Sequence, residues 1–440
     1  AFEPSSLRRR HVEGVDVAKG ASRDLTPLAV LADDLTGAMD AGLQFALSGL
    51  ETLVQVGEGH RDTRVLVMTS ESRELTPSEA VARVRQALPQ LDGRRIYKKI
   101  DSTLRGPVGY ELRALLYALA LRGIVVSPAF PEGGRTTLHG DILVQGQPLA
   151  QSAIRSDPRW PMTESHLPTL LMQQSGMEAG HIPLDAVTRG PGPLRAAITA
   201  CRSRLVVVDA CTEGDLRTIA FVVHGLGAGW LPCGSAGLAK AWASLYSAKE
   251  PGGPVWTGQA RKPLLLISGS RNPTSMVQVR ELERSGIPAV QLSSQRSYTP
   301  SEEIDRLAQE VTLLLRSGSD VILESSSTEY LAGGGHRVAA ILAEAACLAI
   351  QQDLVGGLFI TGGEVALAVC HAVGADAVRI LEAIEPGVPG GLLIGGLAEG
   401  LPVVTKAGGF GSPSVMLDAR HWLRQGAKQP RAFLATGGGK

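Results

Sequence analysis

Short runs of apolar residues recur along the chain, and each run ends in small, hydroxyl-bearing or charged residues. The runs are too short for helices and do not alternate with polar residues, which is typical of strands buried on both faces. The predicted strands are Leu28–Leu31, Val65–Met68, Ile96–Tyr97, Ile124–Val126, Leu205–Val208, Leu264–Ile267, Val321–Leu323, Leu358–Ile360 and Val403–Val404.

Segments with helical periodicity lie between these strands. The predicted helices are Gly37–Leu47, Ser78–Leu88, Gly109–Leu121, Leu216–Val223, Ser235–Tyr246, Thr274–Arg284, Ser301–Leu315, His336–Ile350 and Glu364–Val373. Because strands and helices alternate, the sequence predicts an α/β fold with mainly parallel sheets flanked by helices.

The length of 440 residues suits two domains. A Pro- and Gly-rich segment at 249–263 is the predicted linker between a first domain at 26–248 and a second at 264–440, each expected to have its own sheet. Residues 1–25 are expected to form a flexible tail. The segment 155–193 lacks clean periodicity and is expected to be an irregular insertion or cap.

The charge balance excludes some classes of partner. The chain has 43 Lys and Arg and 43 Asp and Glu, whereas nucleic-acid and membrane-surface binders favour a basic excess.

No apolar stretch approaches the roughly 20 residues that span a bilayer. The five cysteines are dispersed without C-x-x-C, as in proteins of reducing compartments. We therefore expect a cytoplasmic protein with small-molecule ligands, and a homodimer is compatible with this size.

Polar residues that follow the predicted strands of the first domain are candidate ligand contacts, because ligands bind beyond the carboxyl ends of parallel strands. Asp33 and Asp34 could hold substrate hydroxyls or act as a base, while one of them could equally cap the following helix. Arg73 suits a substrate carboxylate, and its alternative is a surface ion pair with Glu71 or Glu74.

The segment KKIDSTLRG concentrates cations, hydroxyls and one carboxylate. Lys98, Lys99, Asp101, Ser102 and Arg105 together suit an acidic, hydroxylated ligand whose hydroxyl must be deprotonated. Lys98 and Lys99 must point to opposite faces of their strand, so at most one of them is expected to serve the site.

Glycine-rich turns follow strands of the second domain: SGSRN at 268–272, TGGE at 361–364 and AGGFG at 407–411. Glycines let backbone N–H groups face a phosphate, and a helix N-terminus adds its positive dipole end. Any one of them is weak evidence, but together they predict a nucleotide-phosphate cradle. The chain lacks GxxxxGK[ST], and no GxGxxG has its acidic partner, which disfavours a P-loop kinase and a Rossmann dehydrogenase.

The histidines show no i,i+3 or i,i+4 pairing, so no metal-ligating residue is predicted. Mg²⁺ held mainly by phosphates and water would leave little trace in the sequence.

The motifs ADDLTGA, KKIDSTLRG, PAFPEGGRTT with GDILVQGQPL, GSAGLA, TGGE and GGFG occur in the order found in the four-carbon acid sugar kinases. Over residues 28–420 the sequence resembles this family, which includes D-threonate, D-erythronate and 3-oxo-tetronate kinases. The resemblance implies an acid-sugar-binding first domain, an ATP-binding second domain and an active site in the cleft between them. The γ-phosphate of ATP would pass to a hydroxyl, O4, of a four-carbon sugar acid, with Mg²⁺ held mainly by the phosphates.

The resemblance also implies roles for individual residues. Substrate contacts are expected from Asp33, Asp34, Arg73, Lys98, Lys99, Asp101 and Ser102, and nucleotide contacts from Ser268, Ser270, Thr361, Gly362, Gly363, Glu364, Gly408 and Gly409. Asp101 would be the base, and one of Lys98, Lys99 and Arg105 would stabilise the transferring phosphoryl group. Gly133, Asp141 and Val365 depart from the family pattern, which affects the expected substrate preference more than the reaction class.

Two other classes remain open from the residues alone. A sugar-acid lyase or epimerase could use the polar residues of the first domain, but it would leave the glycine turns unexplained. A non-catalytic protein of the same fold could bind nucleotide or ligand without turnover.

Overall fold

The computed structural model describes residues 26–59, 62–157, 160–247, 256, 260–293, 299–325 and 334–426. The strands in these ranges are β1 Leu28–Ala32, β2 Thr52–Gln55, β3 Val65–Thr69, β4 Arg95–Lys99, β5 Gly123–Ser127, β6 Arg135–Leu138, β7 Asp141–Val144, β8 Gln147–Pro148, β9 Ala179–Ile182, β10 Leu205–Val208, β11 Trp230–Gly234, β12 Leu264–Ser268, β13 Ala289–Gln291, β14 Val321–Glu324, β15 Gly357–Thr361, β16 Ala377–Glu385, β17 Val388–Ile394 and β18 Pro402–Lys406. The helices are α1 Leu35–Leu47, α2 Pro77–Ala87, α3 Val108–Ala118, α4 Leu167–Ser175, α5 Leu184–Thr188, α6 Pro191–Ala200, α7 Glu213–Gly225, α8 Ala236–Ser244, α9 Pro273–Arg284, α10 Pro300–Arg316, α11 Gly334–Gln351, α12 Gly363–Ala372 and α13 Val415–Gln425. The predicted tail at 1–25 and most of the predicted linker at 249–263 lie outside the described residues.

One 15-stranded sheet runs through both halves of the described chain, in the order β13-β14-β12-β15-β18-β17-β16-β2-β3-β1-β4-β11-β5-β10-β9. Its pairs are parallel except where β16 and β17 pair with each other and with β2 and β18. The predicted α/β class with a mainly parallel sheet is therefore confirmed. The expected separation into two sheets is wrong, because β2 of the first half pairs with β16 of the second, with Val54 opposite Val378.

Helix α1 packs at this junction. It lies against β1, β2 and β3 of its own half and also against β16 and α12 of the other half. A single apolar cluster consequently extends across the junction and includes Phe45 of α1, Val378 of β16 and Val369 of α12, all at most 1% exposed. Each fully buried side chain of this size stabilises the fold by about 1.5–3 kcal/mol. Burial of side chains at the junction therefore stabilises the two halves together.

All of the predicted strands fall within observed ones, and each predicted helix overlaps an observed one, with ends that differ by at most three residues. The segment 155–193 is wrongly expected to be an irregular insertion, because it contains α4, α5, the start of α6 and the edge strand β9, which pairs with β10. Within the described residues no helix is both long and apolar enough to cross a membrane. The cytoplasmic location stays a prediction.

The strand order of the sheet predicts a ligand-binding crevice in each half of the chain. In the first half β1 lies between β3 and β4, and in the second half β12 lies between β14 and β15. Consecutive connections leave such a central strand in opposite directions, which opens a crevice beyond its carboxyl end. Asp33 and Asp34 follow β1, and Ser270 follows β12.

Candidate active site

A cavity of about 870 Å³ lies between the two halves and is lined by residues of both. The first half contributes Asp33, Asp34, Thr36, Glu71, Arg73, Glu74, Arg83 and Arg105, among others. The second half contributes Gly269, Ser270, Arg271, His336, Gly362, Gly363 and Glu364, among others. The volume is ample for a small acid together with the phosphates of a nucleotide.

Arg73 joins the two acidic residues that follow β1. Its Nε and Nη2 donate to the two carboxylate oxygens of Asp33 at 2.8 and 3.0 Å, and its Nη1 and Nη2 donate to Asp34 at 2.5 and 2.8 Å. Burial alone would raise the pKa of Asp33, but the Arg73 guanidinium holds it below its ordinary value. Burial and the neighbouring Asp33 carboxylate raise the pKa of Asp34 in spite of Arg73. Arg73 therefore binds carboxylates of the protein itself.

Asp34 has a second task at the N-terminus of α1. One of its carboxylate oxygens accepts a hydrogen bond of 2.7 Å from the backbone nitrogen of Gly37. The capping interpretation from the sequence is thus correct for Asp34, while Asp33 remains in the cluster without capping a helix.

Lys98 and Lys99 point to opposite faces of β4, as predicted. The Lys98 ammonium is fully buried and forms an ion pair of 2.6 Å with Glu111 of α3. Lys99 reaches the other face, where its Nζ donates to the carbonyl of Ile100 and lies 2.9 Å from where a Cβ on Gly37 would stand. Neither ammonium lines the cavity. The burial of Lys98 argues against its expected catalytic role.

The carboxylate of Asp101 is hydrogen-bonded by residues that follow it closely in the chain. Its carboxylate accepts from Arg105 Nε at 2.9 Å and Nη2 at 3.1 Å, and also from the Thr103 hydroxyl. Burial would raise the pKa of Asp101, but Arg105, Arg73 and these hydrogen bonds hold it well below its ordinary value. A carboxylate so acidic and so fully bonded is a weak proton acceptor, which argues against Asp101 as the base. Arg105 lines the cavity, whereas Asp101 and the half-buried Ser102 do not.

The three glycine turns of the second half converge. The backbone nitrogen of Gly269 donates to the Thr361 carbonyl at 3.2 Å, and that of Gly362 donates to the Lys406 carbonyl at 3.0 Å. A side chain on Gly408 would collide with the hydroxyl of Ser270. Gly362 has a φ of +106°, a conformation that favours glycine, and it precedes the first turn of α12. The turns thus form one cradle at a helix N-terminus, with Ser270 and Gly362 on the cavity side.

Comparison with known proteins agrees with this division of the chain. Residues 28–242 match the model of a sugar-binding N-terminal domain, and residues 265–416 match a nucleotide-binding C-terminal domain. A D-threonate kinase of Salmonella typhimurium is 33% identical over 90% of this chain and 98% of its own. The chain belongs to the four-carbon acid sugar kinase family.

Other members extend the comparison. A D-erythronate kinase of Heliobacterium modesticaldum is 30% identical over 88% of this chain and 95% of its own, and a 3-oxo-tetronate kinase of Brucella melitensis is 28% identical over 90% and 96%. A crystal structure of a Haemophilus influenzae protein of the DUF1537 family is 25% identical, covers 90% of this chain and 100% of its own, and has a TM-score of 0.71. The resemblance recognised in the motifs is therefore confirmed.

The cavity brings together half of the site residues expected from the sequence of this family member. These are Asp33, Asp34, Arg73 and Arg105 from the first half and Ser270, Gly362, Gly363 and Glu364 from the second. The remaining expected residues do not line the cavity: Lys98, Lys99, Asp101, Ser102, Ser268, Thr361, Gly408 and Gly409. Their roles stay predictions.

Lys406 is a residue that the sequence reasoning missed. It ends β18 and is only 3% exposed as a residue. Its Nζ donates to Ser275 Oγ at 3.1 Å and to the carbonyls of Ala407 and Gly408 at 3.0 and 3.2 Å. Burial lowers the pKa of Lys406 to about 8. The available signal was a lysine between a buried strand and a glycine turn.

A group with the chemistry of a metal site was also missed. Single ligand atoms of Glu74, His336 and Glu364 all lie within 4.8 Å of one another at the cavity wall. Glu74 comes from the first half and the other two from the second, so sequence spacing alone could not connect them. Two carboxylates offer the oxygen ligands that Mg²⁺ takes, while the imidazole is better suited to transition metals.

Proposed function

We propose that the protein is an ATP-dependent kinase that phosphorylates a hydroxyl, O4, of a four-carbon sugar acid such as D-threonate or D-erythronate. The observation that carries this proposal is the shared cavity, in which the Asp33–Arg73–Asp34 cluster faces the glycine cradle. Phosphoryl transfer depends mainly on positioning and charge neutralisation, which a cavity between an acid-binding and a phosphate-binding wall provides.

The sugar acid would bind on the wall formed by the first half. The outer lone pairs of Asp33 and Asp34, whose positions Arg73 fixes, would accept hydrogen bonds from substrate hydroxyls. Since Arg73 is occupied by these aspartates, the carboxylate of the acid would be held by the cavity-lining guanidinium of Arg83. Arg105, whose Nε and Nη2 are bonded to Asp101, would add positive charge at the same wall.

The phosphates of ATP would bind at the glycine cradle. The N-terminus of α12 supplies a positive dipole end and the backbone N–H groups of its first turn, which begins at Gly363. Lys406, whose ammonium forms no ion pair within the described part of the chain, would add positive charge beneath the cradle.

Mg²⁺ would be held by the carboxylates of Glu364 and Glu74 together with phosphate oxygens and water, because these two residues offer oxygen ligands beside the cradle. When bound, the ion would neutralise charge on the phosphates.

The test is incubation with ATP, Mg²⁺ and a panel of D-threonate, D-erythronate and 3-oxo-tetronate. We expect ADP release that requires one of these acids, and a product heavier by one phosphate, whose position phosphorus-coupled NMR assigns. Turnover without nucleotide would instead identify a lyase or epimerase. Thermal protection by ADP without any product across the panel would identify a ligand-binding protein. Sedimentation tests the expected homodimer.

A further inference from the structure

Glu71 occupies an unusual place in the chain that follows β3. The backbone nitrogen of Ser70 donates to the Ala32 carbonyl at 2.9 Å, and that of Ser72 donates to the next carbonyl, Asp33, at 3.0 Å. In a regular parallel ladder these two donors would reach carbonyls two residues apart. Glu71 is therefore one extra residue, a bulge, and it takes a φ of +46°, which residues with side chains rarely adopt.

The bulge places the Glu71 side chain in the wall of the cavity, beside the Asp33–Arg73–Asp34 cluster. One oxygen of its carboxyl group accepts a hydrogen bond of 2.7 Å from the hydroxyl of Thr69. No ion pair of Glu71 occurs among the residues that the structure describes. Bulges beside active sites commonly re-aim one side chain, and strained backbone clusters at such sites.

Three other acidic residues near Glu71 are committed to arginines. Asp33 and Asp34 bind Arg73, and Asp101 binds Arg105. Glu71 differs because burial, together with the charges of Asp34 and Asp33, raises its pKa to about 7, despite the opposing effects of Thr69 and Arg73. A carboxyl group that titrates near neutral pH can both take up a proton and release it during turnover.

We propose that Glu71 is the general base that accepts the proton of the attacking substrate hydroxyl. This inference rests on the proposed kinase function. The hydroxyl oxygen forms a bond to the γ-phosphorus, and the bond from that phosphorus to the bridging oxygen of ADP breaks. ADP leaves with the bonding electron pair. The hydroxyl proton passes to the Glu71 carboxylate and then to solvent.

The test compares wild type with Glu71→Gln over pH 5.5–9. Wild-type kcat/KM for the sugar acid should fall below about pH 7, and Glu71→Gln should lose this acidic limb. Its kcat should fall at least about a hundredfold while KM for ATP stays within about threefold, since a general base acts in the transition state. Thermal unfolding with and without ADP verifies that the variant is folded and binds nucleotide.

Two further variants separate catalysis from structure. Thr69→Val removes the hydrogen bond that favours the ionised carboxylate, so the acidic limb should move to higher pH. Glu71→Asp should keep an acidic limb at reduced kcat. A Glu71→Gln variant that turns over like wild type, or that keeps the acidic limb of the pH profile, overturns the role of Glu71 as the base. The proposed kinase function is not affected by that result. A wild type without acid-dependent ADP release at any pH overturns the kinase function and this inference with it.

Discussion

The side-chain oxygen of Thr36, at the start of α1, lies 2.5 Å from the position that a Cβ on Gly363, at the start of α12, would occupy. The first turns of two helices from different halves of the chain thus meet without room for a side chain. Thr36 and Gly363 both line the cavity, so two helix N-termini lie side by side at its wall, where their positive dipole ends suit an anionic ligand. The φ of Gly363 is not positive, so backbone conformation does not require a glycine at this position. The close approach of Thr36 does.

Gly363→Ala should lower the free energy of unfolding by about 1–3 kcal/mol, because the new methyl group collides with the Thr36 hydroxyl. The double variant Thr36→Ala/Gly363→Ala should recover most of this loss, as the next atom of Thr36 is 3.7 Å away. Urea unfolding measures both. Gly192→Ala in α6 is the matched control, because no atom lies within 4 Å of its Cβ position and stability should hold or rise. Equal effects at both glycines would contradict the close contact.

Arg73→Ala should destabilise the protein by about 3–5 kcal/mol at pH 7–8, because it leaves two carboxylates without their counter-charge. In wild type the lowered pKa of Asp33 stabilises the fold above its unfolded value near 3.9, and this stabilisation disappears as pH falls through the folded pKa. In the variant burial favours protonation, so the loss relative to wild type should shrink toward pH 5. Melting temperatures across pH measure this.

Arg189→Ala is the control for Arg73→Ala, because the Arg189–Asp185 pair is 63% and 72% exposed and should contribute little. A pH-independent loss in Arg73→Ala would show that packing, and not charge, explains its effect.

Lys98→Met should destabilise by about 3–5 kcal/mol, because Glu111 is left charged and buried. Adding Glu111→Leu should restore much of the stability, since a well-packed apolar pair can replace a buried ion pair. We expect the folded double variant to retain kcat within a few-fold. A folded, stable double variant with kcat reduced by orders of magnitude would instead restore the catalytic role expected from the sequence.

Lys406→Met should weaken nucleotide binding at least about tenfold while leaving the melting temperature at pH 7 unchanged or higher. Burial lowers the folded pKa of Lys406 to about 8, below the unfolded value near 10.4. The buried charge therefore destabilises the fold below pH 8, and stability is regained as pH rises from about 8 to 10.4. Calorimetric titration with ADP measures affinity, and wild-type affinity should decline above pH 8. Unaltered ADP affinity in the variant would exclude Lys406 from the cradle.

The sequence predicts the strands that are buried on both faces because they are continuous apolar runs bounded by polar residues. It misses β16 and β17, since β16 mixes half-buried polar residues with apolar ones and β17 contains Gly390 and Gly391. Missing these strands has a large consequence, because they connect the two expected sheets into one.

The candidate site shows the same limit at the level of single residues. Composition and position correctly identify Asp33, Asp34 and Arg73 as a polar group after adjacent strands, but not that they bind each other. Asp101 has the right residue type for a base, and only the structure reveals its saturation by Arg105. Glu71 could not be distinguished from a surface glutamate, because its raised pKa depends on burial and on the neighbouring charges of Asp34 and Asp33, which only the fold brings together.

The β2–β16 pairing determines what would happen if the chain were divided between its halves. Leu53 and Val54 pair on one side with β3 and on the other with Arg379 and Val378 of β16. A gene fragment encoding only one half would leave β2 or β16 with unsatisfied main-chain groups along an apolar border, the type of surface that recruits foreign strands into aggregates. The sugar-binding and nucleotide-binding modules are recognisable as separate units of sequence. They must nevertheless be synthesised together to fold.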